Sequence, residues 1–125
     1  MQEIIDQIVK GKNFIKINEE LFEILTEAEY QPAIKVKIFV KKIGEKFYIT
    51  DNQNTLRFMN AKYELKAPDV KQCINDVVKH YGFVINKGEI LTELKPSDNY
   101  NKKYNDLLAC SFTLANMFIF FESPN

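Results

Sequence analysis

The side chains best placed to do chemistry in this chain stand between Lys35 and Arg57. Lys35, Lys37, Lys41, Lys42 and Lys46 crowd a short stretch, with Phe39 and Tyr48 interleaved and Asp51-Asn52 directly after it. A row of ammonium groups with rings between them suits an acidic partner or a phosphate backbone, the rings serving as anchors or stacking platforms. The plainer reading is a solvated sheet face, or lysines that discourage edge pairing. Arg57 is the only arginine in the chain and joins the same set. Dedicated phosphate and base readers use arginine forks, so its isolation counts against nucleic acid. Asp51 closes an apolar run, a usual place for a functional carboxylate. It equally suits a turn or helix cap that bonds the backbone of residues 53–55, together with Thr50 and Asn52. The binding set read from the sequence is therefore Lys35, Lys37, Phe39, Lys41, Tyr48, Asp51, Asn52 and Arg57.

No catalytic constellation accompanies this set. His80 is the only histidine, near the C-terminus of an expected helix, where an imidazolium complements the helix dipole. Cys73 lies on the same side but two turns away, about 10 Å along the axis, too far for direct proton transfer. None of Ser97, Ser111 and Ser123 stands in a Gly-x-Ser-x-Gly elbow. One histidine with Cys73 and Cys110 makes no usual zinc set, and no acidic cluster suggests magnesium. The chain is read as non-enzymatic, with no catalytic residue, no metal ligand and no cofactor.

A length of 125 residues suits one domain over residues 1–125. Such a domain buries roughly two-thirds of the surface its unfolded chain exposes, enough for a core without metals or disulfides. Seventeen basic and seventeen acidic residues leave a formal net charge of zero. That balance argues against a surface that grips nucleic acid as a whole, and equally against an acidic nucleic-acid mimic. Both cysteines fall on apolar faces of expected helices, which suits free thiols in a reducing cytosol, a disulfide being the alternative. Glu3 and Asp6 interrupt any apolar leader core. The apolar run from Leu107 to Phe121 is shorter than the ~20 residues that span a bilayer, and Ser111, Thr113 and Asn116 break it. A cytoplasmic protein without membrane contact is expected.

The elements that must position these residues follow from periodicity. Ile34, Val36, Ile38 and Val40 alternate with Lys35, Lys37 and Lys41, so residues 33–50 read as an antiparallel hairpin with one buried face, broken at Ile43-Gly44-Glu45. Before it, Ile4, Ile5, Ile8 and Val9 form a short helical stripe ended by Gly11, and residues 13–17 suit a short strand. Asn18 suits a helix N-cap. Ile17, Leu21, Ile24, Leu25 and Ala28 have helical spacing, with Pro32 closing that helix. After the hairpin come a turn at 51–54 and a short helical turn over 55–60 carrying Leu56 and Met59. In residues 61–66, Tyr63 and Leu65 alternate only weakly. Pro68 opens a helix over 68–81 whose stripe is Val70, Cys73, Ile74, Val77, Val78 and Tyr81, with Gly82 ending it. A second hairpin turns at Asn86-Lys87-Gly88. A last helix runs from about Asp98 to Phe121, its second half apolar nearly all round. The fold class is α+β: a small antiparallel sheet of about four strands in two hairpins, helices on one face, and a long apolar C-terminal helix. An all-round apolar helix must be covered on every side, by the core, a second copy or a partner.

The order of these parts is similar to a known family. An apolar strand, a short break and a strand reaching Ile49-Thr50-Asp51-Asn52 lead into Thr55-Leu56. Then come a helix ending His80-Tyr81-Gly82, a hairpin through Asn86-Lys87-Gly88-Glu89-Ile90, and a long C-terminal helix. This resembles domain of unknown function 1828, a family of small proteins often carried by phages and prophages, over residues 34–120. The family pattern favours a glycine two residues after the aspartate, where this chain has Gln53. The resemblance implies a mobile-element setting and carries over no catalytic residue.

Together these readings favour a non-catalytic protein that docks on another protein, in concrete form an inhibitor of a bacterial defence system. A homodimer is the further option. The alternative is a nucleic-acid-binding protein using the lysine-rich face of residues 35–46.

Overall fold

The computed structural model describes residues 2–8, 13–31, 33–61 and 64–117. Expectations that fall on Val9, Gly11, Pro32, Tyr63 and residues 118–121 lie outside them.

The fold is α+β, and its sheet is larger than the four strands expected. Six strands pair antiparallel throughout: β1 (Phe14–Asn18), β2 (Leu21–Ile24), β5 (Ile38–Ile43), β6 (Lys46–Thr50), β8 (Glu89–Glu93) and β7 (Val84–Asn86), in that spatial order. A separate two-stranded sheet joins β3 (Glu29–Gln31) to β4 (Ile34–Lys35). Among the described residues four helices accompany these strands: α1 (Gln2–Ile8), α2 (Asn54–Asn60), α3 (Pro68–His80) and α4 (Tyr100–Met117).

The two extra strands of the main sheet are β1 and β2, and the helix expected after Asn18 does not form. The Asn18 side chain accepts a bond from the Glu20 amide at 2.8 Å, turning the chain instead of capping a helix. From there Phe22 and Ile24 alternate into the core, while Leu21 and Glu23 point the other way. Pairing with β5 over Leu21↔Lys41 to Ile24↔Ile38 rewards period two over the helical stripe. The expected strand from Ile34 to Lys41 is also divided. Its first two residues pair with β3, and the chain re-enters the main sheet only at Ile38. Ile34 is accordingly 39% exposed, whereas Val36, Ile38 and Val40 are buried.

Register sorts the sheet into two faces. Phe22, Ile24, Ile38, Val40, Ile49 and Ile90 share the core with Ile5 and Ile8 of α1, Met59 of α2 and Ile74 and Val78 of α3. From α4, Tyr104, Leu107, Cys110 and Leu114 complete that core at helical spacing. The first half of α4 exposes Asn101, Lys102 and Asn105, as an amphipathic helix does, and Phe112 is exposed in its second half, whose expected apolar run falls partly on residues outside those described.

Local signals place the remaining ends. Pro68 stands in the first turn of α3. Beyond its C-terminus, Gly82 at φ 86° lets the Phe83 amide reach back to the Val78 carbonyl at 3.0 Å. Asn99 caps α4 by accepting from the Lys102 amide at 3.0 Å.

Candidate functional site

The split between β4 and β5 divides the lysine row. Lys35 and Lys37 leave the main sheet and come against α2. There they line one depression of about 320 Å³ with Tyr30, Ile34, Asn54, Arg57 and Phe58. Three of the sequence-predicted residues, Lys35, Lys37 and Arg57, thus converge. Arg57 reaches the depression because α2 starts directly after the 51–53 turn, which sets it beside the β3–β4 hairpin. Ala33 at φ 69° makes the turn of that hairpin.

The floor is aromatic and aliphatic. Tyr30 and Phe58 stack with ring centroids 4.6 Å apart and planes 13° from parallel. The Tyr30 hydroxyl is bonded to the Thr55 hydroxyl at 2.6 Å, which donates to Ser111 at 3.1 Å. Burial holds the Tyr30 hydroxyl protonated far above the ordinary phenol range. At the rim, Lys35 donates to Glu27 at 2.9 Å. That bond raises the ammonium's pKa and lowers that of the carboxyl. Lys37 has no ion pair among the described residues, and the Arg57 guanidinium donates to the Gln53 side chain at 3.1 Å. Among the described residues, none that lines the depression is a serine, threonine, cysteine, histidine or carboxylate. What the depression offers is attraction for anions over an apolar floor.

The other predicted residues lie elsewhere. Phe39, Lys41 and Tyr48 share the sheet face opposite the core. Phe39 is 5% exposed and Tyr48 half-buried. Lys41 donates to both carboxylate oxygens of Glu89 at 2.8 Å, and Thr50 donates to the same carboxylate. Asp51 is fully enclosed. Its Oδ1 accepts from the Gln53 and Ile90 amides and its Oδ2 from the Thr55 amide, each at 3.0 Å. Burial pushes this carboxyl above its usual range, against the pull of those donors. Asn52, at φ 50°, donates its amide to the Thr50 hydroxyl at 2.9 Å.

His80 is exposed and sits edge-on to Tyr81 at 5.2 Å. Both cysteines are free. Cys73 is half-buried, and burial pushes the Cys110 thiol up to about 12. Among the described residues no group of histidine, cysteine and carboxylate side chains could hold a metal, and no helix is long and apolar enough to cross a membrane.

Ile34, Asn54 and Phe58 were not in the predicted set. Phe58 carried a usable signal: an aromatic beside the sole arginine, off the apolar face made by Leu56 and Met59. Comparison of the chain with protein-family models, curated proteins and solved structures gives no match.

Proposed function

We propose that this chain is a non-catalytic binding protein that docks on an acidic surface of another protein through the depression between β4 and α2. The observation that carries the reading is the convergence of Lys35, Lys37 and Arg57 around Ile34 and Phe58. Cations that rim an apolar floor attract a carboxylate-bearing surface and then bury an apolar contact, and together these give rate and affinity. The nucleic-acid alternative draws on the same residues but loses the continuous lysine row, because Lys41 is committed to Glu89 on another face.

The resemblance to the family of domain of unknown function 1828 adds a setting. The partner is then a host or phage protein, and the concrete form is inhibition of a bacterial defence system. Gln53 supports this reading in one respect: at φ 71° it holds the conformation that suits the glycine of the family pattern.

The test is a tagged pull-down from bacterial lysate with and without nuclease, comparing wild type with the Lys37→Glu, Arg57→Glu double variant. A stoichiometric protein that survives nuclease and is lost from the folded variant is the expected result. Captured nucleic acid that disappears with nuclease would instead favour the alternative. A protein held equally by both forms would move the site off this depression.

A further inference from the structure

A second groove runs along the adjacent face of α2. Leu56, Leu65, Ile74 and Ile85 floor a cavity of about 250 Å³ between α2, α3 and β7, with Lys71 and Asn75 at its rim. Through Leu56, Leu65 and Gly88 it is continuous with a depression of about 330 Å³ where Arg57 and Lys87 stand. Among the described residues no aspartate or glutamate lines either part. Lys71 and Lys87 carry no ion pair among the described residues. Two acids of the surrounding segments are turned elsewhere: Glu64 accepts from the Lys66 amide and Asp76 from Gln72. In a chain of zero formal charge, this groove is a local excess of positive charge over an apolar floor.

We propose that the groove binds a peptide segment of a partner protein that presents one apolar side chain flanked by carboxylates. The apolar part, about 250 Å³, suits a single anchoring side chain, and the adjoining depression leaves room for the residues that flank it. The three cations select an acidic flank on either side of that anchor. Among the described residues no aromatic side chain lines the groove to offer a nucleotide base a stacking platform. Gln53 steadies one wall, because its side-chain amide donates to the Lys87 carbonyl at 2.9 Å and ties the start of α2 to the β7–β8 turn. This surface extends the docking reading but shares only Arg57 with the first depression, and Arg57 is left unchanged in the test.

The experiment is a methyl and amide NMR titration of the full chain. The probe is a mixture of short synthetic peptides in which glutamates flank one central leucine, isoleucine or phenylalanine. Saturable shifts at Leu56, Leu65, Ile74 and Ile85 are expected. Alanine at the centre should weaken binding about tenfold or more. Lys71→Glu with Lys87→Glu should weaken it about tenfold at low salt while the remaining spectrum is kept. Asn75→Trp, placed on an exposed helical position to fill the cavity, should abolish it. Indifference to the central residue, absence of saturable shifts, or stronger shifts from oligothymidylate or decanoate would each overturn the proposal.

Discussion

Lys41 and Glu89 meet across an intervening strand. The ammonium, carried on β5, passes over β6 and holds both carboxylate oxygens of the first residue of β8 at 2.8 Å. Thr50, on the strand between them, donates to the same carboxylate. The pair is largely out of solvent, with 23% of the lysine side chain and 11% of the glutamate exposed. Such a pair contributes little over an apolar replacement, but half of it alone is costly. Lys41→Met should therefore destabilise by ~2 kcal/mol, and adding Glu89→Gln should recover part of that loss. Urea denaturation of the two single variants and the double variant checks this. Strictly additive losses would show that the pair is not coupled.

Asp51 makes a different commitment, to three backbone amides on two elements. Asparagine keeps one acceptor oxygen and turns a second donor toward these amides, so Asp51→Asn should cost ~2 kcal/mol. The direction of its pKa shift sets the pH dependence. A carboxyl raised on folding contributes stability that is fully present below its unfolded value of about 4 and is lost as pH rises through the folded value. Across that window wild type should lose stability relative to Asp51→Asn. Parallel denaturation curves against pH decide it, and a constant gap would refute the raised value.

At Gln53 the backbone, with φ at 71°, lies in the left-handed region that side chains with a Cβ avoid. Alanine and glycine both remove its bonds to Lys87 and Arg57, so comparing them isolates the backbone. Gln53→Gly should be the more stable of the two by ~1 kcal/mol, the reverse of their order inside a helix. Equal stability would mean that the turn relaxes.

The hydroxyls of Tyr30, Thr55 and Ser111 form a buried chain that joins β3, α2 and α4. Thr55 is its middle member, so Thr55→Val strands both neighbours. A loss of ~2–3 kcal/mol is expected, against ~1 for Tyr30→Phe or Ser111→Ala. Thermal denaturation of the three variants tests this. A Thr55→Val loss no larger than the other two would show that the chain is not shared.

Elements held by a strong local pattern were legible before the structure. The stripe Val70–Tyr81 is α3, the apolar run Phe47-Tyr48-Ile49 that stops at Thr50 lies in β6, and Asn86-Lys87-Gly88 holds the turn between β7 and β8. Lys87 and Gly88, at φ 51° and 81°, show why that turn was readable, since both central positions need the left-handed region. Residues 17–28 misled because Leu21, Ile24, Leu25 and Ala28 fit a helix, while β5 offered a partner that only the folded chain supplies. The same holds for the first depression. Lys35, Lys37 and Arg57 were each visible as cations, but their convergence depends on a break in pairing at Val36-Lys37 that the unbroken alternation concealed. In the sequence Phe39 and Lys41 stand within the same binding set, as an anchoring ring and one of the lysine row. Cross-strand packing instead encloses Phe39, and Glu89 occupies Lys41.

The pairing of β6 with β8 also bears on how the chain finds its fold. Tyr48↔Glu93 to Thr50↔Leu91 joins strands separated by α2, α3 and β7, so its closure costs more chain entropy than the tight hairpins on either side. The β5–β6 and β7–β8 hairpins can each form locally, but neither holds a sheet alone. Because their union closes more chain than either hairpin, stopped-flow refolding is expected to be limited at the seam between β6 and β8. Substitutions at Ile49 or Ile90 should accordingly slow refolding, while those on β1 at the far edge mainly hasten unfolding.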